Sequence, residues 1–305
     1  MLLSMLVFLI PGIALGQASG DRQIALTFER LPLMRPAGFW RPREVSNLIL
    51  RTLAREEIVA AGFVVEEKID DDPSSFIVLK DWVEAGHLLG NNTYAYVDLN
   101  ELEADDFIPH VADGQRYLRK VAWSSRFNFR YLRFPLLHEG NTERKKKRVA
   151  EALRRGGYTV APVTTRTADF EFNPLYVNNE QDSEAIEKLR TLYLDHIADC
   201  LTYSESQSLK VFEREIPQIL QLHAGVATAI FLDDLISMLR ERGYSFISLP
   251  EALEDPAYET EESYIGPLGL TLLERVAATR QLPYDPAACQ IDRKAITAIL
   301  ASQSP

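Results

Sequence analysis

Cysteine and histidine have the widest chemical range of the side chains near neutral pH, and this chain of 305 residues carries only two of the first and five of the second. Cys200 and Cys289 form no C-x-x-C pair and have no histidine pattern suited to zinc beside them. Two readings of the pair stay open: a disulfide in an oxidising compartment, or two separate buried thiols. Three histidines have structural readings: His87 follows the helix-stopping Gly86, His110 falls in a polar loop, and His196 lies on a long helical stretch. The dense basic run Arg144-Lys145-Lys146-Lys147-Arg148 continues into Val149 and Leu153 at helical spacing, which makes it the solvated face of a helix rather than a polyanion site. A formal net charge of −11 opposes attraction to phosphate backbones and anionic lipid headgroups, so nucleic acid is excluded as a partner.

The elements that must position any site read as α/β. With 46% apolar and 25% charged residues the composition is that of a folded protein, long enough for one large domain or two small ones. Met1 to Leu15 is an apolar stretch followed by small residues (Gly16, Ala18, Ser19), the outline of a signal peptide over residues 1–18 without the usual leading Lys or Arg; it predicts a secreted or periplasmic protein. That stretch is short of the ~20 residues of a spanning helix and no later one approaches it, so no membrane span is expected in the mature chain. Strand patterns over Gln23–Phe28, Val59–Val65, Tyr131–Arg133, Tyr158–Val163, Ile219–Leu222 and Ser245–Leu249 alternate with helical patterns over Arg43–Ala54, Phe76–Ala85, Glu143–Arg155 and Ala229–Arg242. A loop is expected from Glu29 onward. Such alternation implies a parallel sheet with helices outside, as a barrel or an open sheet, and chemistry at the carboxyl ends of the strands. Residues 19–250 are expected to form one domain, including a helical excursion from Asp182 to Lys210. Residues 251–305 then form a C-terminal extension packed on it, helical over Thr271–Ala278.

Five short stretches carry a family resemblance. Ile24-Ala25-Leu26-Thr27-Phe28-Glu29-Arg30-Leu31-Pro32 resembles the TFDDGP or TFDDLP motif of the polysaccharide deacetylases (NodB homology, carbohydrate esterase family four). Gly90-Asn91-Asn92-Thr93-Tyr94-Ala95-Tyr96-Val97-Asp98-Leu99-Asn100 resembles the family's GNHTYSHPDLN. Arg130-Tyr131-Leu132-Arg133-Phe134-Pro135, Asp169-Phe170 and Leu220-Gln221-Leu222-His223-Ala224 follow in the family's order. The likeness runs from Ile24 to Leu268.

The resemblance implies a distorted (β/α) barrel of about seven parallel strands that removes N-acetyl groups from sugars, with a divalent metal such as zinc polarising the acetyl carbonyl and its bound water. It places the base at Glu29, the base-orienting arginine at Arg133, the acid at His223 and its aspartate at Asp169. It places the metal ligands at Arg30, Asn92 and Tyr96, and there the sequence departs from the family. A guanidinium has no lone pair and repels a dication, an amide offers one neutral oxygen, and a phenol with a pKa near 10 is a poor ligand. The expectation is a protein without the family metal, catalytically impaired, with a glycan as partner; the alternative is a weak metal-independent deacetylase using Glu29 and His223. Tyr94 and Phe134 are candidates for stacking on a sugar. His138, in Leu136-Leu137-His138-Glu139-Gly140, resembles the FLHEG or FLHTG stretch of one branch, with pocket lining and loop packing equally open.

Overall fold

The structure, a computed structural model, describes residues 22–125 and 130–301; the expected leader lies outside the described residues. Seven strands form one parallel sheet: β1 (Arg22–Leu31), β2 (Ala61–Val64), β3 (Leu88–Asn91), β4 (Tyr131–Leu132), β5 (Thr159–Val160), β6 (Gln218–His223) and β7 (Tyr244–Phe246). Their order is β5-β4-β3-β2-β1-β6, with β7 paired to the first residues of β1. Just past β5, Thr165 makes a parallel bridge to Leu220. Gln221 N–H donates to the Thr165 carbonyl at 2.9 Å and Ile219 N–H to Thr164 Oγ1 at 2.7 Å. The sheet thus returns on itself, giving the distorted barrel that the family likeness implied.

The helices are α1 (Pro42–Arg55), α2 (Glu67–Asp71), α3 (Phe76–Glu84), α4 (Ala104–Asp113), α5 (Arg116–Ser125), α6 (Glu143–Arg155), α7 (Phe172–Asn179), α8 (Ser183–Phe212), α9 (Val226–Glu241), α10 (Leu249–Leu253), α11 (Leu272–Thr279) and α12 (Arg293–Ala301). Local chemistry sets several starts. Thr142 accepts from Lys145 N–H at the head of α6, and Asp182 accepts from Glu184 N–H and Ala185 N–H at the head of the 30-residue α8.

Side chains alternate along β1. Ile24, Leu26 and Phe28 join the large core with Ile49, Trp82, Tyr193 and Phe231. Ala25 belongs to a second cluster, with Phe63, Ala161 and Ile219, so Ala25, Thr27 and Glu29 share the barrel interior. Ala25, Ala61, Ala161 and Arg133 are all buried.

Several boundaries differ from the sequence expectation. β1 continues through Leu31 instead of giving way to a loop at Glu29, because Glu29 is still in register with His223 of β6. The strands expected over Val59–Val65, Tyr158–Val163 and Ser245–Leu249 shorten to β2, β5 and β7. His110, expected in a polar loop, lies in α4. Beyond α10 the chain packs on α8 through Leu272 and Val276 against Val211. An ion pair fastens it further, Arg275 to Glu139 at 2.9 Å, while Arg275 also meets Glu262 of its own segment at 3.3 Å.

Candidate active site

Glu29 stands near the carboxyl end of β1, fully buried, and is the hub of the site. Its Oε1 accepts from Arg133 Nη1 at 3.0 Å and from Gln221 Nε2 at 2.7 Å; its Oε2 accepts from the Tyr96 hydroxyl at 3.2 Å. Arg133 is held by β1 and the end of β5: its Nε donates to the Ala161 carbonyl at 2.6 Å and its Nη2 to Thr27 Oγ1 at 3.3 Å, with the guanidinium 4.5 Å from the centre of the Phe63 ring. Every donor aimed at Glu29 comes from a different strand or loop, so the carboxylate ties the barrel mouth together. Burial, and then the Glu29 charge, push the Tyr96 phenol far above its ordinary range, so it stays protonated and donates.

A second group lies beside it. His223 Nδ1 and Asp169 Oδ1 are 2.7 Å apart; Asp169 also accepts from His223 N–H at 2.8 Å, Thr228 Oγ1 at 2.9 Å and Thr167 Oγ1 at 3.1 Å. Burial by itself raises the Asp169 carboxyl, but its interactions with His223 and these donors outweigh that and hold it below the usual carboxylate range. Phe170 packs its edge on the His223 ring, centroids 5.2 Å apart. Across the mouth, His138 Nδ1 pairs with Asp98 Oδ1 at 2.8 Å. His138 and His223 line one cleft of about 390 Å³ with Tyr96, Gln221, Phe170 and Arg166. Each imidazole is oriented through Nδ1 by a carboxylate, which leaves Nε2 as the atom free for a ligand. The other wall comes from the C-terminal segment, through Pro267, Leu268, Gly269, Pro286, Ala287 and Gln290.

Residues 16–161 match the family model for polysaccharide deacetylase. Over those residues the chain is similar to the polysaccharide deacetylases. Solved structures with the same fold include the carbohydrate esterase family four pseudoenzyme from Bacillus anthracis, at 16% identity over 77% of this chain and 66% of that one, TM-score 0.51. A mutant pseudoenzyme of that family described as having restored enzymatic activity gives 17%, 77%, 69% and a TM-score of 0.52. The chitin deacetylase of the fungal pathogen Colletotrichum lindemuthianum gives 21% identity over 76% of this chain and 88% of that one, TM-score 0.51. At these identities the likeness is one of fold. Comparison with proteins of curated function finds no match.

The three positions where the family resemblance puts metal ligands do come together, but as partners of each other. Arg30, in a left-handed backbone conformation (φ 62°), donates its N–H to Asn92 Oδ1 at 3.2 Å. Asn92 donates through Nδ2 to the Arg133 carbonyl at 3.1 Å, so both ends of its amide are engaged. The Arg30 guanidinium lies 4.7 Å from the centre of the Tyr96 ring, and its buried Nε has no hydrogen-bond partner. Lys68 donates to the Arg30 and Leu33 carbonyls at 2.9 and 2.8 Å; burial, then the charges of Arg30 and Arg35, pull its ammonium down to about 7. A position crowded by cationic side chains and a protonated phenol does not fit a divalent cation. Among the described residues, no group of three or more His, Cys, Asp or Glu side chains is placed to hold a metal.

The two proposed sugar-stacking residues sit elsewhere, and neither lines the cleft. Phe134 is buried, stacked on Phe107 at 5.8 Å in a small core cluster. Tyr94 donates its hydroxyl to Asp70 at 3.0 Å and stacks on His110. Three residues of the site escaped sequence reasoning: Gln221, which lay inside a motif read only for its histidine, Asp98, behind the cleft as the partner of His138, and Arg166, whose guanidinium donates to the carbonyls of Gly269 and Pro286, both at 2.6 Å. Only the first two had a signal, their place inside the family stretches.

Proposed function

We propose that this polysaccharide deacetylase-family protein binds an N-acetylated glycan in the cleft between His138 and His223, without a divalent metal and without hydrolysing it, and that it does so outside the cytoplasm. The observation that carries the reading is the saturation of Glu29. A general base must reach a water poised on the acetyl carbonyl. Here its carboxylate is held by Arg133, Gln221 and Tyr96, while Arg30 stacks on Tyr96 where an electrophilic metal would be needed. Without the Lewis acid, acid–base help alone is worth only ~10²–10⁴ in rate. The glycan class follows the similar structures, one described as a chitin deacetylase and another as a peptidoglycan N-acetylglucosamine deacetylase. The apolar leader of residues 1–15 supports export.

The test is acetate release from chitooligosaccharides and peptidoglycan fragments, with and without added zinc or cobalt, beside binding measured by calorimetry. We expect binding with no acetate above the level of the Glu29→Gln variant, and no shift in melting temperature with either metal. Metal-stimulated acetate release would overturn the proposal. The intact Asp169–His223 pair favours a second reading, weak metal-independent hydrolysis with Glu29 as base and His223 as acid. That reading predicts slow acetate release that is insensitive to chelators and abolished by either Glu29→Gln or His223→Ala.

A further inference from the structure

The segment that walls the cleft runs along α8, and the contacts between them fall in a regular order. Lys210 Nζ donates to the Pro283 carbonyl at 3.0 Å, and Asp285 N–H donates to the Tyr203 hydroxyl at 2.9 Å. The segment therefore ascends as α8 descends, and Cys200, one helical turn before Tyr203, faces the chain just past Pro286 and Ala287. Cys289 is there, close enough for the two thiols to interact. Both are free and buried, Cys200 wholly and Cys289 nearly so. Cys200 Sγ also lies 3.7 Å from His196 Nε2 and 4.0 Å from its Nδ1.

We propose that Cys200 and Cys289 form a reversible disulfide that staples the cleft wall bearing Pro286, Ala287 and Gln290 to α8. The oxidant is a small or protein disulfide. The Cys289 thiolate attacks one of its sulfurs, the S–S bond breaks and a thiolate leaves. The Cys200 thiolate then attacks the Cys289 sulfur of the mixed disulfide and expels the second thiolate. Two electrons and two protons pass from the cysteine pair to the two departing thiols. Because both sulfurs are shielded, the exchange requires the wall to lift from α8, and the bond once made holds the wall down. The cleft then has one fixed wall under oxidising conditions and a releasable one under reducing conditions. This stands whether or not the cleft hydrolyses its ligand.

The experiment uses the full chain, folded in a glutathione redox buffer, then denatured, alkylated and mapped by peptide mass. The expected product is a cross-linked peptide pair containing Cys200 and Cys289, lighter by two hydrogen atoms than the reduced pair and free of glutathione. Free thiols at both positions, or glutathione on each separately, would overturn the proposal. Hydrogen exchange compares the oxidised and reduced proteins: amides of residues 283–290 should exchange roughly ten-fold more slowly when oxidised. The melting temperature should rise by about 5 °C, and the Cys289→Ser variant should show neither change. A bridge that forms while exchange in 283–290 stays the same would refute the staple.

Discussion

At the scale of single residues, the Arg133–Glu29 pair is the strongest constraint on the site. Both side chains are out of water, and removing one partner leaves a buried charge uncompensated. Arg133→Met should lower the unfolding free energy by about 3–5 kcal/mol in denaturant titrations, a much larger loss than at any surface ion pair. His87 supplies a pH dependence. It is buried against Trp82, its Nδ1 accepts from Ala60 N–H at 3.3 Å, and burial pushes the imidazole down to about 4. Between pH 6.5 and 4 the unfolded chain takes up a proton that the folded chain refuses, so stability falls as the pH falls through that window, by about 3 kcal/mol in total. Urea midpoints measured across that range should show the decline, and His87→Gln, which does not titrate, should flatten it. A third prediction concerns the lost ligands. Arg30→Asp, Asn92→His and Tyr96→His together should create zinc-dependent thermal stabilisation that the parent lacks, although losing the Asn92 bridge costs about 1–3 kcal/mol in the metal-free variant. The poor donor character of Arg30, Asn92 and Tyr96 was legible in the sequence, because residue type alone decides what can donate a lone pair. The engagement of those side chains with one another was not, since nothing in the order of residues tells that Asn92 bridges β1 and β4.

At the scale of elements, legibility followed local chemistry. The helix over residues 143–155 was readable to the residue because a capping threonine opens it and Gly156-Gly157 closes it. β3 was not read as a strand, since Gly90 and Asn91 disfavour one; it forms because the neighbouring chains come so close that only glycine fits. A Cβ at Gly90 would lie 2.6 Å from the Phe63 ring and 2.9 Å from the Tyr131 carbonyl. The apolar stretch Tyr158–Val163 promised a longer strand than β5, but the chain leaves β4 after two paired residues to reach Leu220 across the barrel seam. For α8 the prediction is specific: Asp182→Ala removes the acceptor for two amide donors and should cost about 1 kcal/mol by denaturant unfolding.

At the scale of the whole molecule, the cleft is made of two parts far apart in sequence, and the C-terminal extension supplies one of its walls. Gly269 is the closest point of contact, where a Cβ would lie 1.9 Å from the Leu136 carbonyl oxygen and 3.1 Å from His138 Cδ2. Gly269→Ala should push the wall outward, cost about 1–3 kcal/mol and weaken ligand binding measured by calorimetry, while leaving Glu29 and Arg133 in place. The barrel has one more consequence, for how the protein is made. Strand β1 is translated before the other strands of the sheet, yet it bonds on one flank to β6, with Thr27 Oγ1 donating to the Leu220 carbonyl 193 residues later, and then to β7. Until that late stretch is translated, an apolar ribbon waits with an empty edge, and a nascent chain stalled before residue 218 should need a holding chaperone to stay in solution.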